Sequence, residues 1–196
     1  MGERRVYIVL TDTGTAFTRL IKLYTKKPYN HASLSFDEKL TEVYSFGRKL
    51  PQNPFIGGFV KENLQQGLFK DASCRIYSCQ ITESQYREMQ QVIKNIEKNQ
   101  HHYSYNLLGL LGFVLNKPIT KEHAYFCSEF VATVLKEGGI LNMQKSPSLI
   151  APHDFQSMSS LQLEYQGKIA DYPLEQSQVH EKVLGTAHRL IRKLSW

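Results

Sequence analysis

Residues 31–46 read HASLSFDEKLTEVYSF. Apolar and polar side chains alternate on both sides of Asp37-Glu38-Lys39, which is the pattern of two strands joined by a polar turn, an antiparallel hairpin. Upstream, RVYIVL (5–10) is dense in β-branched and aromatic residues and reads as a buried strand. Thr11-Asp12-Thr13-Gly14 supplies helix-starting chemistry, and Phe17, Leu20, Ile21 and Tyr24 recur at helical spacing, so 14–26 is expected to be an amphipathic helix ended by Pro28.

Downstream, PQNPFIGGF (51–59) has loop composition and CRIYSCQI (74–81) alternates as a strand. Thr82-Glu83-Ser84-Gln85 has capping-box spacing, and Tyr86, Met89, Ile93 and Ile96 mark one face of the helix that follows, ending near Asn99. Short helices are expected over 105–115 and 124–137, the second closed by Gly138-Gly139. LQLEYQGKIADY (161–172) gives one or two short strands, and 180–195 a basic amphipathic helix with Val183, Ala187, Leu190, Ile191 and Leu194 on one side. Strands before and after the helices, with one clear hairpin, indicate an α+β fold rather than a doubly wound sheet. One domain over 1–175 is expected, with the basic helix of 176–196 appended.

Composition narrows the function classes. The chain has 196 residues, 41% hydrophobic and 21% charged, ordinary for a globular protein. Its net charge is +6, but the lysines and arginines are scattered and no nucleic-acid-binding motif accompanies them, so no specific nucleic-acid partner is expected. The run LLGLLGFVL (107–115) is too short to span a bilayer, and no signal peptide is visible, so the expected location is cytoplasmic. Cys74, Cys79 and Cys127 lie in no metal-binding spacing and read as free thiols; no metal and no cofactor are expected. Cys74 and Cys79 are five apart on a strand and therefore face opposite ways.

Cys127 opens the helix of AYFCSEFVATVL (124–135). With Phe130, Val131, Val134 and Leu135 it falls on one helical stripe, the pattern of a core face. It also stands in the first turn, where unpaired N–H groups and the helix dipole favour a thiolate, so packing and nucleophilic roles both fit. A nucleophilic thiol needs a base. His31 opens a strand, which holds an imidazole more rigidly than a loop does. His101, His102, His123, His153, His180 and His188 fall on loops, helix starts or the basic tail.

PYNHASLSFDEKLTEVYSFGR (28–48), followed some ninety residues later by AYFCSEFVATVL, resembles the permuted NlpC-type papain-like cysteine hydrolases, most closely their YiiX/YebB-like branch. The His strand precedes the Cys helix there, and an aromatic–Cys–Ser–Glu run opens that helix. The resemblance implies a papain-like fold with an antiparallel sheet against the Cys-bearing helix, Cys127 as nucleophile and His31 as base. It also implies an orienting polar group on the second hairpin strand. A turn centred on Glu38 would pair His31 with Ser45; a one-residue slip would bring Glu42 to that side instead. Tyr29, Tyr125 and Phe126 lie beside the motifs, as cleft lining for a substrate or as core.

The implied reaction is amide or ester cleavage through an acyl-thioester on Cys127, with a peptide, amide or lipid ester as substrate. Two alternatives stay open: a lipid-directed acyltransferase or lipase-like enzyme, as in the related lecithin–retinol acyltransferase group, and a catalytically decayed binding module. The Asn-Cys-Glu-His-Phe run of the acyltransferase group is not matched by Phe126-Cys127-Ser128-Glu129-Phe130. The basic helix over 180–196 is expected to dock on the body, weak contact with an anionic membrane surface being its alternative.

Overall fold

The structure, a computed structural model, describes residues 4–14, 26–50, 53–106, 109, 117, 119–141 and 145–173. The helix expected over 14–26, most of that expected over 105–115, and the basic helix of 176–196 lie outside these residues.

β1 (Arg4–Asp12), β2 (His31–Ser35), β3 (Val43–Leu50), β4 (Asn53–Glu62), β5 (Ser73–Ile81) and β8 (Gln162–Lys168) form one sheet in the order β4-β3-β2-β1-β5-β8. Every pair in it is antiparallel. Among the described residues, the helices α1 (Glu83–Lys98) and α2 (Cys127–Glu137) pack with this sheet in an α+β architecture. β6 (Ser104–Tyr105) and β7 (Ala124–Tyr125) make a small parallel pair ahead of α2.

β1 is continuously apolar because both of its faces are buried. Val6, Ile8 and Leu10 pack with the helices, whereas Tyr7 and Val9 belong to a second cluster with Leu64, Ala72, Cys74 and Ile169 on the other side. α1 begins as its sequence prescribes: the Thr82 hydroxyl accepts from the Gln85 N–H at 3.2 Å, and the Gln85 side-chain amide oxygen accepts from the Thr82 N–H at 2.9 Å. Met89, Ile93 and Ile96 face inward. α2 lies across β2 and β3 and buries Phe130, Val131, Val134 and Leu135. It ends at Gly138, where a Cβ would stand 2.6 Å from Met89 Cγ; the close packing of the two helices requires a glycine there.

Two expectations are corrected. The 51–59 segment is mainly strand, not loop. Gly57 does not punctuate a turn: a Cβ there would meet the Gly47 carbonyl at 2.7 Å and Tyr105 Cβ at 2.9 Å, so the glycine admits β6 against β4. The hairpin register also differs. Leu34 pairs with Tyr44 and Ser35 with Val43, which sets His31 level with Gly47 rather than Ser45. The connection over 36–42 is organised by Asp37, whose carboxylate accepts from the Thr41 N–H, and by Leu40 at φ 51°. A shift of two residues leaves every side chain on its original face, so Ser45 stays on the side of His31.

Candidate active site

Cys127 is the first residue of α2, and three contacts fasten that turn. The Ser128 hydroxyl donates to the Ile150 carbonyl at 2.7 Å. The Glu129 carboxylate accepts from the Phe126 N–H and from Asn106 Nδ2, both at 3.3 Å. Asn106 in turn donates to the Ile119 carbonyl at 3.1 Å and accepts from the Gly109 N–H at 2.8 Å. Burial pushes the Glu129 carboxyl up to about 7, against the opposing pull of the Phe126 and Asn106 donors. Cys127 itself is only 6% exposed.

His31 is the first residue of β2. Strand alternation puts Ala32 and Leu34 against the helices, and His31, Ser33 and Ser35 on the opposite face. There the imidazole Nε2 lies 2.6 Å from Glu62 Oε1 and 3.2 Å from Ser45 Oγ. The second Glu62 oxygen accepts from the Ser33 hydroxyl at 2.5 Å. The His31 and Glu62 side chains are 13% and 5% exposed. Gly47 leaves room beside the pair: a Cβ there would sit 3.8 Å from Glu62 Oε1 and 4.0 Å from His31 Cε1. The Phe69 ring lies 5.8 Å from the imidazole.

The Cys127 sulfur is close enough to His31 to act on the imidazole's protonation, alongside Glu62. Burial alone would lower the imidazole's proton affinity. The Glu62 charge, then the Cys127 sulfur and the hydrogen bonds to both, outweigh it and hold His31 well above its ordinary 6.5. The result is a line from helix-start thiol through strand-borne imidazole to buried carboxylate. Such a line can move a proton off the thiol and hold the resulting imidazolium. The first N–H groups of α2, which have no intrahelical acceptor, are available for an oxyanion.

Of the residues singled out in the sequence, Cys127, His31 and Ser45 come together. Glu42 does not: its carboxylate is 59% exposed, accepts from the Tyr44 hydroxyl at 2.7 Å and pairs with Lys61 at 3.4 Å. Phe126 is buried at 2% exposure, and Tyr29 is buried in the helix-side core cluster with the Arg75 guanidinium 5.6 Å from its ring. Tyr125 is half-buried, 5.1 Å from Phe46 and stacked on Tyr103. His123 is exposed beside Glu122, and the His101 ring lies tilted against that of His102. Cys74 and Cys79 are free thiols in different clusters, as their spacing required.

Glu62 was missed. It closes FVKE, where Val60 and Glu62 alternate with Phe59 and Lys61; extending β4 through that alternation would have put a carboxylate on the His31 face. Among the described residues no three His, Cys, Asp or Glu side chains form a metal-holding group, and no helix is long and apolar enough to cross a membrane. No protein-family model matches the chain, and neither the curated proteins nor the solved structures yielded a match.

Proposed function

We propose that this protein is a thiol hydrolase that cleaves an amide or ester bond. Its residues would be Cys127 as nucleophile, His31 as general base and acid, and Glu62 as the carboxylate that orients and charges His31. The observation that carries the reading is the buried His31–Glu62 pair at 2.6 Å, contributed by β2 and β4, with the Cys127 sulfur of α2 acting on the same imidazole. It agrees with the order and spacing of the His and Cys motifs that resemble permuted NlpC-type papain-like hydrolases, and that papain-like assignment of the fold belongs to the same proposal.

In the reaction, Cys127 Sγ forms a bond to the substrate carbonyl carbon with the thiol's proton held on His31, and α2 N–H groups stabilise the oxyanion. Collapse expels the amine or alcohol, which takes the proton from His31. Water then attacks the thioester with His31 again as base, releasing the acid and restoring the thiol. A cytoplasmic location and a peptide, amide or lipid ester substrate are parts of this reading; an acceptor other than water would make the same site an acyltransferase.

The test is competitive alkylation with an iodoacetamide probe at neutral pH, read by mass spectrometry for each cysteine. Selective modification of Cys127, slowed in His31→Ala, supports the reading. Modification of Cys127 no faster than of Cys74 and Cys79, unchanged by His31→Ala, overturns it. Peptide, ester and phospholipid panels then identify the carbonyl attacked.

A further inference from the structure

We infer that Ser33 is a positioning residue for His31, acting through Glu62. The inference takes its place in catalysis from the thiol-hydrolase reading and extends it to a residue that touches neither the thiol nor the imidazole.

Glu62 reaches His31 from two strands away, passing over β3, and a flexible side chain of that length has no reason to hold one rotamer by itself. Two hydrogen bonds set it: Oε1 to His31 Nε2 at 2.6 Å, and Oε2 from the Ser33 hydroxyl at 2.5 Å. Ser33 follows His31 by two residues on the same strand face, so one rigid element carries both groups that the carboxylate binds. The two oxygens are thereby assigned. Oε2 is held by a neutral donor, which leaves Oε1 to face the imidazole.

Ser45 does not duplicate this role. Its hydroxyl approaches Nε2 itself, at the longer distance of 3.2 Å. Val9 and Ile76 are the neighbours of Ser33 in the sheet row on the other side, and neither offers a substitute donor. Among the described residues, the groups facing His31 are Glu62 from β4, Ser45 from β3, Cys127 from α2, the cross-strand Thr11 from β1 and the Phe69 ring from the segment after β4. Among the described residues, Ser33 is the tie, besides His31 itself, between the carboxylate and the strand that bears the base. With the hydroxyl removed, a buried carboxylate oxygen loses its donor and the side chain turns toward other partners. His31 then loses the charge that offsets its burial.

The experiment uses the full chain and titrates His31 by imidazole NMR in wild type, Ser33→Ala and Ser35→Ala. Ser35 is the control: it is equally buried on the same face, but its hydroxyl serves Asp37. Ser33→Ala is expected to lower the His31 midpoint by about one pH unit and to slow Cys127 alkylation about tenfold at neutral pH, with Ser35→Ala doing neither. Ser33→Cys, which keeps the volume and supplies a weaker donor, should give an intermediate midpoint. It also serves if the alanine variant does not fold. A His31 midpoint unchanged in Ser33→Ala and Ser33→Cys, or lowered equally in Ser35→Ala, overturns the inference. If wild-type Cys127 proves unreactive the hydrolase reading fails, but the His31 midpoint in the variants still decides whether Ser33 sets the carboxylate.

Discussion

Glu62 Oε1 lies 2.6 Å from His31 Nε2, and the two residues come from strands separated by a third. The contact inverts the usual consequence of burial. An imidazole so enclosed should be neutral near pH 7, yet the carboxylate and the thiol hold it well above 6.5. Glu62→Gln keeps the shape and removes the charge. It should lower the His31 midpoint seen by NMR and slow Cys127 alkylation at neutral pH by about tenfold or more. An unchanged midpoint would mean that Glu62 is not the source of the shift.

The same shift fixes the sign of a stability effect. A histidine whose folded value is raised contributes stability that is complete below its unfolded value near 6.5 and is lost as pH rises through the folded value. Urea denaturation of wild type should show declining stability on the alkaline side of neutrality. The decline should be shallower in Glu62→Gln; parallel curves for the two proteins would contradict the linkage.

Glu42 and Ser45, alternatives in the sequence, separate cleanly in the structure. Glu42 lies at the surface with Tyr44 and Lys61, so Glu42→Ala should leave Cys127 alkylation unchanged and stability within about 0.5 kcal/mol. Ser45→Ala, by contrast, removes a group 3.2 Å from Nε2 and should change the alkylation rate. The reverse pattern would restore the one-residue register slip.

These contrasts show what the sequence carried and what it did not. Alternation in HASLSF and EVYSF, and the capping box at Thr82, are local signals, and they placed β2, β3 and α1 correctly. The side of the sheet occupied by Ser45 was also legible, because face depends only on parity. The two-residue register shift was not: it comes from the Asp37-centred connection and the left-handed Leu40, which no alternation pattern encodes. β4 was hidden for a different reason. Its glycines look like loop residues until Tyr105, more than forty positions on, is seen to press against Gly57. With β4 went Glu62, whose partner in the site is a matter of strand order rather than of spacing.

Thr11 is the cross-strand neighbour of both His31 and Cys74, and its hydroxyl is buried with no hydrogen-bond partner among the described residues. An orphan polar group of this kind is destabilising. Thr11→Val replaces it with a methyl of similar shape and should raise stability by about 1 kcal/mol. A fall of that size instead would show that the hydroxyl is solvated by an internal water in solution.

Glu129 offers a test of how the first turn of α2 is held. Its carboxyl is pushed up to about 7 by burial, and its acceptors serve the Phe126 N–H and Asn106. Because the folded value lies above the ordinary 4.5, stability is fully present below 4.5 and is lost as pH rises through about 7. A gap of that size corresponds to a ceiling of about 3 kcal/mol. Glu129→Gln stays neutral and can still accept from the Phe126 N–H. Its stability should therefore vary less than that of wild type between pH 5 and 8, by up to about that ceiling. The His31 contribution is common to both proteins and cancels in the difference. Denaturation midpoints that track each other across this range would show that the carboxyl ionises without penalty, and would detach Glu129 from the support of Cys127.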